Sequence, residues 1–151
     1  GDPKRAQHFL KVYEFAKLIG ESEELESEKL HILRTAAIVH DIGIKISEKK
    51  YGSSGGKYQE KEGPAVAEPM LCALGYDEAV IDRVLFLIAH HHTYTGIEGE
   101  DYQILVEADF LVNLFEDGSS RETAEKVREN IFKTKTGMKY LETLFLTERR
   151  S

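Results

Sequence analysis

The chain contains 151 residues, of which 41% are hydrophobic and 31% are charged, and it carries a formal net charge of -7. This length and hydrophobic content predict one globular domain over residues 1–151, with a core of its own. The acidic balance argues against a general nucleic-acid binder, which needs a basic face to displace the counterions of phosphate, and no apolar run approaches the roughly 18–20 residues that span a bilayer.

Helical periodicity accounts for most of the first half of the chain. A first helix is predicted over residues 3–19, because Pro3 suits the first turn of a helix and Gly20 suits its end. A second helix is predicted to begin at Ser27, a residue type that caps helices, and to stop at Gly43. Residues 47–56 are rich in glycine, serine and lysine, and this composition predicts a mobile loop.

The second half continues the helical pattern. A third helix is predicted over residues 61–74 and a fourth over residues 77–92, and two amphipathic helices over residues 120–132 and 137–147 end the chain. A further helix is predicted over residues 101–115, between the fourth helix and these two. It is apolar on almost all of its faces, so it is expected to be the central helix, because such a helix must be covered on several sides. No strand pattern is found, so the predicted fold class is all-α, a single-domain helical bundle of about six or seven helices.

The one cysteine, Cys72, lies in the third predicted helix. A single thiol cannot form an internal disulfide, and no signal peptide is visible at the start, so a reducing cytoplasmic location is expected. Between Leu71 and Ala73, Cys72 is predicted to be a small buried apolar residue rather than a nucleophile. The apolar residues of the last two helices can pack against the core or against a second copy of the chain, so a homodimer stays an open alternative.

Side chains typical of metal ligands occur on four of the predicted helices. They are His8, the pair His40 and Asp41, a histidine triplet at residues 90–92, and Asp109. Most lie three or four residues from apolar residues of the same helix, so they share its inward face. A lone histidine on an apolar face is usually a hydrogen-bonded core residue. Imidazoles and carboxylates buried on four helices are costly unless they pair or bind a cation, so the pattern favours one shared metal site.

The donor types of this set indicate a class of metal. Two or more histidines with two aspartates form a mixed nitrogen and oxygen site, which suits Mn, Fe, Co, Ni or Zn better than Ca or Mg. No thiolate takes part, which disfavours a structural zinc site. We therefore expect one or two divalent transition-metal ions as the cofactor.

Four strings of the sequence match a known pattern. They are RAQH at residues 5–8, AAIVHDIG at 36–43, LIAHHH at 87–92 and ILVEAD at 104–109. In this order and spacing they resemble the HD-domain superfamily of metal-dependent phosphohydrolases. The resemblance covers roughly residues 5–115 and implies an all-α fold of the HD-domain type.

The resemblance implies a primary metal held by His8, His40, Asp41 and Asp109. Such a metal lowers the pKa of a bound water and polarises a phosphoryl oxygen. Asp41 is expected to ligate this metal and also to orient or deprotonate the water, so it is assigned a catalytic role.

Two-metal members of the superfamily add histidines between the His-Asp pair and the last aspartate. Here His90 and His91 match, helix phase favours His91, and His92 is assigned as a substrate contact. His91 is also expected to donate to the phosphate or to protonate the leaving oxygen, and Lys45 is expected to close over the substrate. The chain departs from the pattern twice: Gln59 stands where many two-metal members have histidine, and one additional residue separates Lys45 from the His-Asp-Ile-Gly string.

The expected function is hydrolysis of a phosphate ester of a nucleotide or similar small molecule through a metal-bound water. The expected partner is therefore a small-molecule phosphate, with neither general nucleic-acid binding nor membrane association. One alternative is a di-iron oxygenase, since the scaffold also resembles that of myo-inositol oxygenase, although Gln59 in place of histidine counts against it. The other is a non-catalytic module that senses a nucleotide through a retained metal, which the apparent completeness of the site disfavours.

Overall fold

A computed structural model describes residues 1–148 of the protein, and within them the chain forms eight α-helices and no strand. The helices are α1 (Pro3–Ser22), α2 (Ser27–Val39), α3 (Ile44–Tyr51), α4 (Gly56–Ala73), α5 (Glu78–His90), α6 (Glu100–Glu116), α7 (Arg121–Asn130) and α8 (Lys135–Leu141), and a π-helical segment (Glu142–Leu146) continues α8. This architecture confirms the predicted all-α bundle. None of the helices in the described range combines the length and the apolarity needed to cross a bilayer.

One prediction about the first half of the chain was wrong. Residues 47–56 are mostly helical, because α3 occupies Ile44–Tyr51 and α4 already begins at Gly56, so the bundle has one helix more than predicted. Ser47 is buried and its hydroxyl donates to the carbonyl of Gly43 at 2.8 Å, which anchors α3 to the turn before it. Only residues 52–55 form the connection to α4. The glycine and serine content reflects this short turn rather than a long loop.

Helix α6 runs through the centre of the bundle, as its apolar composition predicts. Eleven of its 17 residues are buried, including Ile104, Leu105, Val106 and Ala108, which face successive directions around the helix. Helices α1, α2 and α8 pack against it. Asp109 lies in this buried stretch, so the core itself carries one of the candidate ligands to the middle of the protein.

The turn between α2 and α3 is pressed against α4 through two glycines. A Cβ atom on Gly43 would lie 2.8 Å from the backbone nitrogen of Gly63 and 2.9 Å from the carbonyl oxygen of Gln59. A Cβ atom on Gly63 would lie 2.5 Å from Cγ2 of Ile88 on α5. Since backbone atoms cannot move aside as flexible side chains do, the close approach at Gly43 fixes the turn after His40 against α4, and Gly63 in turn lets α4 approach Ile88 of α5.

The last helices are tied to α6 by the fully buried carboxylate of Glu107. The Thr134 hydroxyl donates to it at 2.6 Å, and the backbone N–H groups of Lys133 and Thr134 each donate at 3.1 Å. Thr134 in turn caps α8 by accepting from the N–H of Gly137. The apolar residues Phe132 and Leu141 are buried in the same core, so this part of the chain packs largely on its own bundle, while the homodimer stays a prediction.

The prediction that Cys72 is buried was wrong, because this thiol is exposed. On α4 the inward positions are occupied by Ala67 and Leu71, four residues apart. Cys72 follows Leu71 directly and is therefore rotated by about 100° around the helix toward solvent. The apolar neighbours of Cys72 in sequence do not share its face.

The variant Gly43→Ala is expected to lower the free energy of unfolding by about 1–3 kcal/mol, because the new methyl group collides with backbone atoms of α4. Urea unfolding measures this loss. The matched control is Gly55→Ala, where the added Cβ would meet nothing closer than 3.4 Å and φ is -54°. Equal losses in the two variants would show that the close approach at Gly43 does not constrain the fold.

Candidate metal centre

Four polar side chains meet between α1, α2 and α6. His8 comes from α1, His40 and Asp41 from the turn after α2, and Asp109 from α6. His8 Nε2 lies 3.2 Å from Asp41 Oδ2 and 3.2 Å from Asp109 Oδ1. His40 Nε2 lies 3.4 Å from Asp41 Oδ1 and 3.4 Å from Asp109 Oδ1. The structure thus brings together the four residues that the family resemblance assigns to a primary metal.

His91 extends this group from the end of α5. Its side chain is fully buried, and its Nε2 lies 3.8 Å from Asp41 Oδ1. The ring centroids of His40 and His91 are 5.4 Å apart, with the rings nearly perpendicular. The packing of α5 against α2 and α4 brings the two imidazoles to the same carboxylate oxygen, Oδ1 of Asp41.

Backbone carbonyls orient the two most buried imidazoles. Nδ1–H of His40 donates to the carbonyl of Ala37, and Nδ1–H of His91 donates to the carbonyl of Ile88, both at 2.7 Å. Because a carbonyl oxygen only accepts, Nδ1 must carry a proton in each ring. In the neutral form of either ring, the lone pair is therefore on Nε2, the atom that faces the carboxylates.

These two Nε2 atoms are buried and have no hydrogen-bond partner among residues 1–148. The nearest carboxylate oxygens, 3.4 Å from His40 and 3.8 Å from His91, are not aligned for a hydrogen bond. A buried polar atom without a partner is costly. A cation beside Asp41 would satisfy both nitrogens, so the residues present fit a metal.

The candidate donor atoms form two overlapping groups. Atoms of His8, His40 and Asp41 lie within 4.8 Å of one another, and so do atoms of Asp41, His91 and His92. Asp41 belongs to both groups, so one carboxylate stands between two sets of imidazoles. Mixed nitrogen and oxygen donors of this kind suit divalent transition metals.

Charge pairing outweighs burial in the pKa values of the primary group. Burial lowers the pKa of His8, but hydrogen bonds with Asp109 and Asp41 raise it to about 11. Burial also lowers the pKa of His40, and the negative charge of Asp41 raises it to about 9. Burial raises the pKa values of both aspartates, yet the neighbouring histidines hold them well below the usual range. The metal-free cluster therefore pairs protonated imidazoles with anionic carboxylates at neutral pH.

The structure does not bring His90 to this group. Its ring stacks on Phe86 with a centroid distance of 4.2 Å, and its Nδ1–H donates to the Phe86 carbonyl at 2.7 Å. His90 is the last residue of α5, and consecutive helical residues point about 100° apart, so only part of the triplet faces the ligands. His91 and His92 do so, with ring centroids 4.0 Å apart.

His92 is held against the start of α4. A Cβ atom on Gly56 would lie 2.8 Å from Cβ of His92, and the backbone N–H of His92 donates to Glu60 Oε1 at 3.0 Å. Nε2 of His92 lies 3.2 Å from Gln59 Oε1, whose amide nitrogen donates to the carbonyl of Ser54. Burial and the charge of the neighbouring His91 lower the pKa of His92 to about 4, so this imidazole is neutral at pH 7.

The ligand group borders a cavity of about 330 Å³, here called the central cavity. It is lined by His8, Asp41, His92 and Asp109 of that group, together with Gln59, Asp2, two cations of α1 and residues at the end of α6. The cations are Lys4 and Arg5. Lys45 is exposed and lies outside this cavity, whereas Ile44, one residue earlier, lines it. The additional residue before Lys45 therefore places an isoleucine at the cavity wall and turns the lysine toward a neighbouring cavity that shares Asp41.

Sequence reasoning missed two polar residues of α6. Glu116 Oε2 accepts a hydrogen bond from Nδ1–H of His8 at 2.9 Å, while Lys11 Nζ pairs with Glu116 Oε1 at 2.8 Å. Asn113 lines the central cavity beside them. Asn113 lies four residues after Asp109 and Glu116 lies seven after it, so both share the face of α6 that carries Asp109. This spacing is the signal from which the sequence could have predicted them. The carboxylate of Glu116 holds the His8 ring with Nε2 toward Asp109.

The chain is similar to a known protein family and to a solved structure. A model of the HD domain family matches residues 5–131 of the chain. The chain is also similar to the crystal structure of a predicted HD superfamily hydrolase from an uncultured Thermotogales bacterium, with 27% identity and a TM-score of 0.63 over 91% of this chain and 71% of that chain. No curated protein matches the chain. The matched range contains every ligand-type residue described above.

The affinity for Mn²⁺ is expected to rise with pH between about pH 6 and 8. With pKa values of about 11 and 9, His8 and His40 hold protons throughout this range, and a bound cation must displace them. The association constant should therefore increase by at least about tenfold per pH unit. Calorimetric titrations at three pH values give the slope, and a flat profile would contradict the pairing of these histidines with the aspartates.

The variant Glu116→Gln is expected to lower the affinity for Mn²⁺ by about tenfold, because His8 loses the charged acceptor that orients its ring. The control is Asp117→Asn, which removes the same charge from the adjacent exposed residue. Calorimetry at one pH compares the two variants with the wild type. If both variants lower the affinity equally, the loss of affinity comes from the removal of a negative charge near the site. That result would contradict the proposal that Glu116 orients His8.

Proposed function

This chain belongs to the HD domain family, and on that premise we propose that it is a metal-dependent phosphohydrolase acting on a phosphate ester of a nucleotide or a similar small molecule. Membership of the family supports the broader assignment to a superfamily of metal-dependent hydrolases. The observation that carries the proposal is the pair of buried, unpartnered imidazole nitrogens of His40 and His91 that flank Asp41.

The residues that would hold a first divalent metal are His8, His40, Asp41 and Asp109. When bound, such a cation lowers the pKa of water and offsets the negative charge that develops on a phosphoryl group. Asp41 stays anionic at neutral pH, because the charge of His40 outweighs the effect of burial on its pKa. Its carboxylate is thus able to accept a hydrogen bond from an attacking water and to orient it.

Two cations line the central cavity, next to the carboxylate of Asp2. Lys4 and Arg5 line the cavity from the start of α1. The guanidinium of Arg5 is held in place by Glu48 at 2.6 Å and by Asp2 at 3.2 Å. A protein with a net charge of -7 needs such local cations to attract a phosphate. We propose that Arg5 orients the phosphate and that Lys4 assists electrostatically.

The second group of donors supports a dinuclear form of the centre. Asp41, His91 and His92 would hold a second cation, and Gln59 Oε1 lies beside His92 where many two-metal relatives have histidine. In this form His91 acts as a ligand, and the neutral His92 contributes either a ligand or a contact with the phosphate. We propose Lys45 as a contact of the substrate from the neighbouring cavity rather than of the reacting phosphate.

A dinuclear centre also keeps the di-iron oxygenase as a second candidate, because Asp41 is shared between the two donor groups. Elemental analysis of protein purified without chelators separates the two functions. Two irons per chain with oxygen consumption would favour the oxygenase. Phosphate release with Mn²⁺, Co²⁺ or Zn²⁺ and no oxygen consumption would favour the hydrolase.

In a panel of phosphomonoesters and phosphodiesters, Asp41→Asn is expected to lower metal-dependent phosphate release by about 10³-fold, because the shared ligand loses its charge. The control is Asp82→Asn, an exposed aspartate of α5 that lies outside the ligand group. Activity is measured with Mn²⁺ and again after chelation. A metal-loaded wild-type protein that hydrolyses no member of the panel, or an active Asp41→Asn variant, would overturn the proposed function.

A further inference from the structure

A second cavity adjoins the central cavity. It has a volume of about 390 Å³, and it shares three lining residues with the central cavity, namely Arg5, Asp41 and Ile44. Arg5, Asp41 and Ile44 therefore form the border at which the two cavities meet.

The wall of the second cavity is apolar. Its apolar lining residues are Phe9, Ile38, Val39, Ile42, Ile44 and Met70. Phe9, Ile38 and Ile44 lie outside the hydrophobic core of the described chain, and the Ile38 side chain is 46% exposed. Three large apolar side chains grouped beside a catalytic carboxylate, without a core function, form a surface that a ligand can cover.

The polar groups of this cavity lie at its boundary and carry full charges. They are Arg5, Asp41 and Lys45. Lys45 has no ion pair among residues 1–148, so its ammonium group is available to an anion there. No amide or hydroxyl side chain lines the cavity, so it offers few of the hydrogen-bonding groups that distinguish one heterocycle from another.

We propose that this cavity, here called the apolar cavity, binds the flat apolar part of the substrate while the phosphate occupies the central cavity. The inference rests on the proposed phosphohydrolase function and deepens it. The substrate class is a phosphate ester of an aromatic or heterocyclic compound, such as a nucleoside, rather than a small hydrophilic sugar or polyol phosphate. Recognition depends on shape and apolar area, so different bases are accepted with similar affinity.

The test uses two ligands that differ only in the aromatic group. The 5′-phosphonate analogues of adenosine 5′-monophosphate and of ribose 5-phosphate carry a carbon in place of the bridging oxygen, so they bind without being hydrolysed. Their dissociation constants are measured by calorimetry on protein loaded with Mn²⁺. The variants are Phe9→Ala and Ile38→Ser, and the matched control is Leu10→Ser, a residue of α1 that is 57% exposed and lines neither cavity.

The wild type is expected to bind the adenosine analogue at least about tenfold more tightly than the ribose analogue. Phe9→Ala and Ile38→Ser should each reduce this ratio by about threefold or more, while Leu10→Ser leaves the ratio unchanged. Urea unfolding of each variant confirms that the fold persists. Equal affinities of the wild type for the two analogues, no detectable binding of the adenosine analogue, or an unchanged ratio in both cavity variants would overturn the inference.

Parallel assays of phosphate release from the two hydrolysable esters separate this inference from the function on which it rests. The affinity ratio of the two analogues could change in the variants as expected while no ester of the panel releases phosphate. This result would support binding in the apolar cavity and contradict the proposed hydrolase activity. Hydrolysis with equal affinities for the two analogues would support the hydrolase and refute the apolar cavity.

Discussion

The buried contact between imidazoles and the carboxylate of Asp41 governs the organisation of this protein. Charged and polar groups in an apolar interior destabilise a fold unless each is paired or bound to an ion. Here His8 pairs with Asp41 and Asp109 at 3.2 Å, while Nε2 of His40 and Nε2 of His91 lie 3.4 Å and 3.8 Å from the same carboxylates without a hydrogen bond. An arrangement of this kind costs stability in the absence of a cation and gains it when one binds, which links folding to the proposed chemistry.

The bundle around this contact is built to hold it in place. Helix α6 carries Asp109 through the core, and Glu116, two turns later, orients His8. The close approach of Gly43 and Gly63 locks the turn that carries Asp41 against α4, and α4 also supplies Gln59 beside His92. Ligands in turns that are held by such contacts are positioned more accurately than ligands on unsupported loops.

The two cavities beside the ligand group differ in the chemistry of their walls. Positive charge from the start of α1 borders the central cavity, and apolar side chains from α1, α2 and α4 border the adjoining one. The proposed substrate, a phosphate ester with an aromatic group, matches this division of charge and apolar surface. The proposed reaction at the metal and the proposed preference for an aromatic group would then depend on different parts of the scaffold.

The sequence by itself determined the helical class and the central position of α6, because residues three or four apart on a helix share a face and buried polar groups there need partners. The same spacing indicated that ligand-type side chains face the interior, while their assignment to a primary metal came from the resemblance to the HD-domain superfamily. Tertiary structure alone decided that His92 rather than His90 faces the site, since neighbouring helical residues differ by about 100° and the packing of α4 selects between them. It also decided that residues 44–51 form a helix anchored by Ser47 and that Lys45 lies outside the central cavity. Contacts such as Glu116 with His8 join residues 108 positions apart, and only the packing of α1 on α6 creates them.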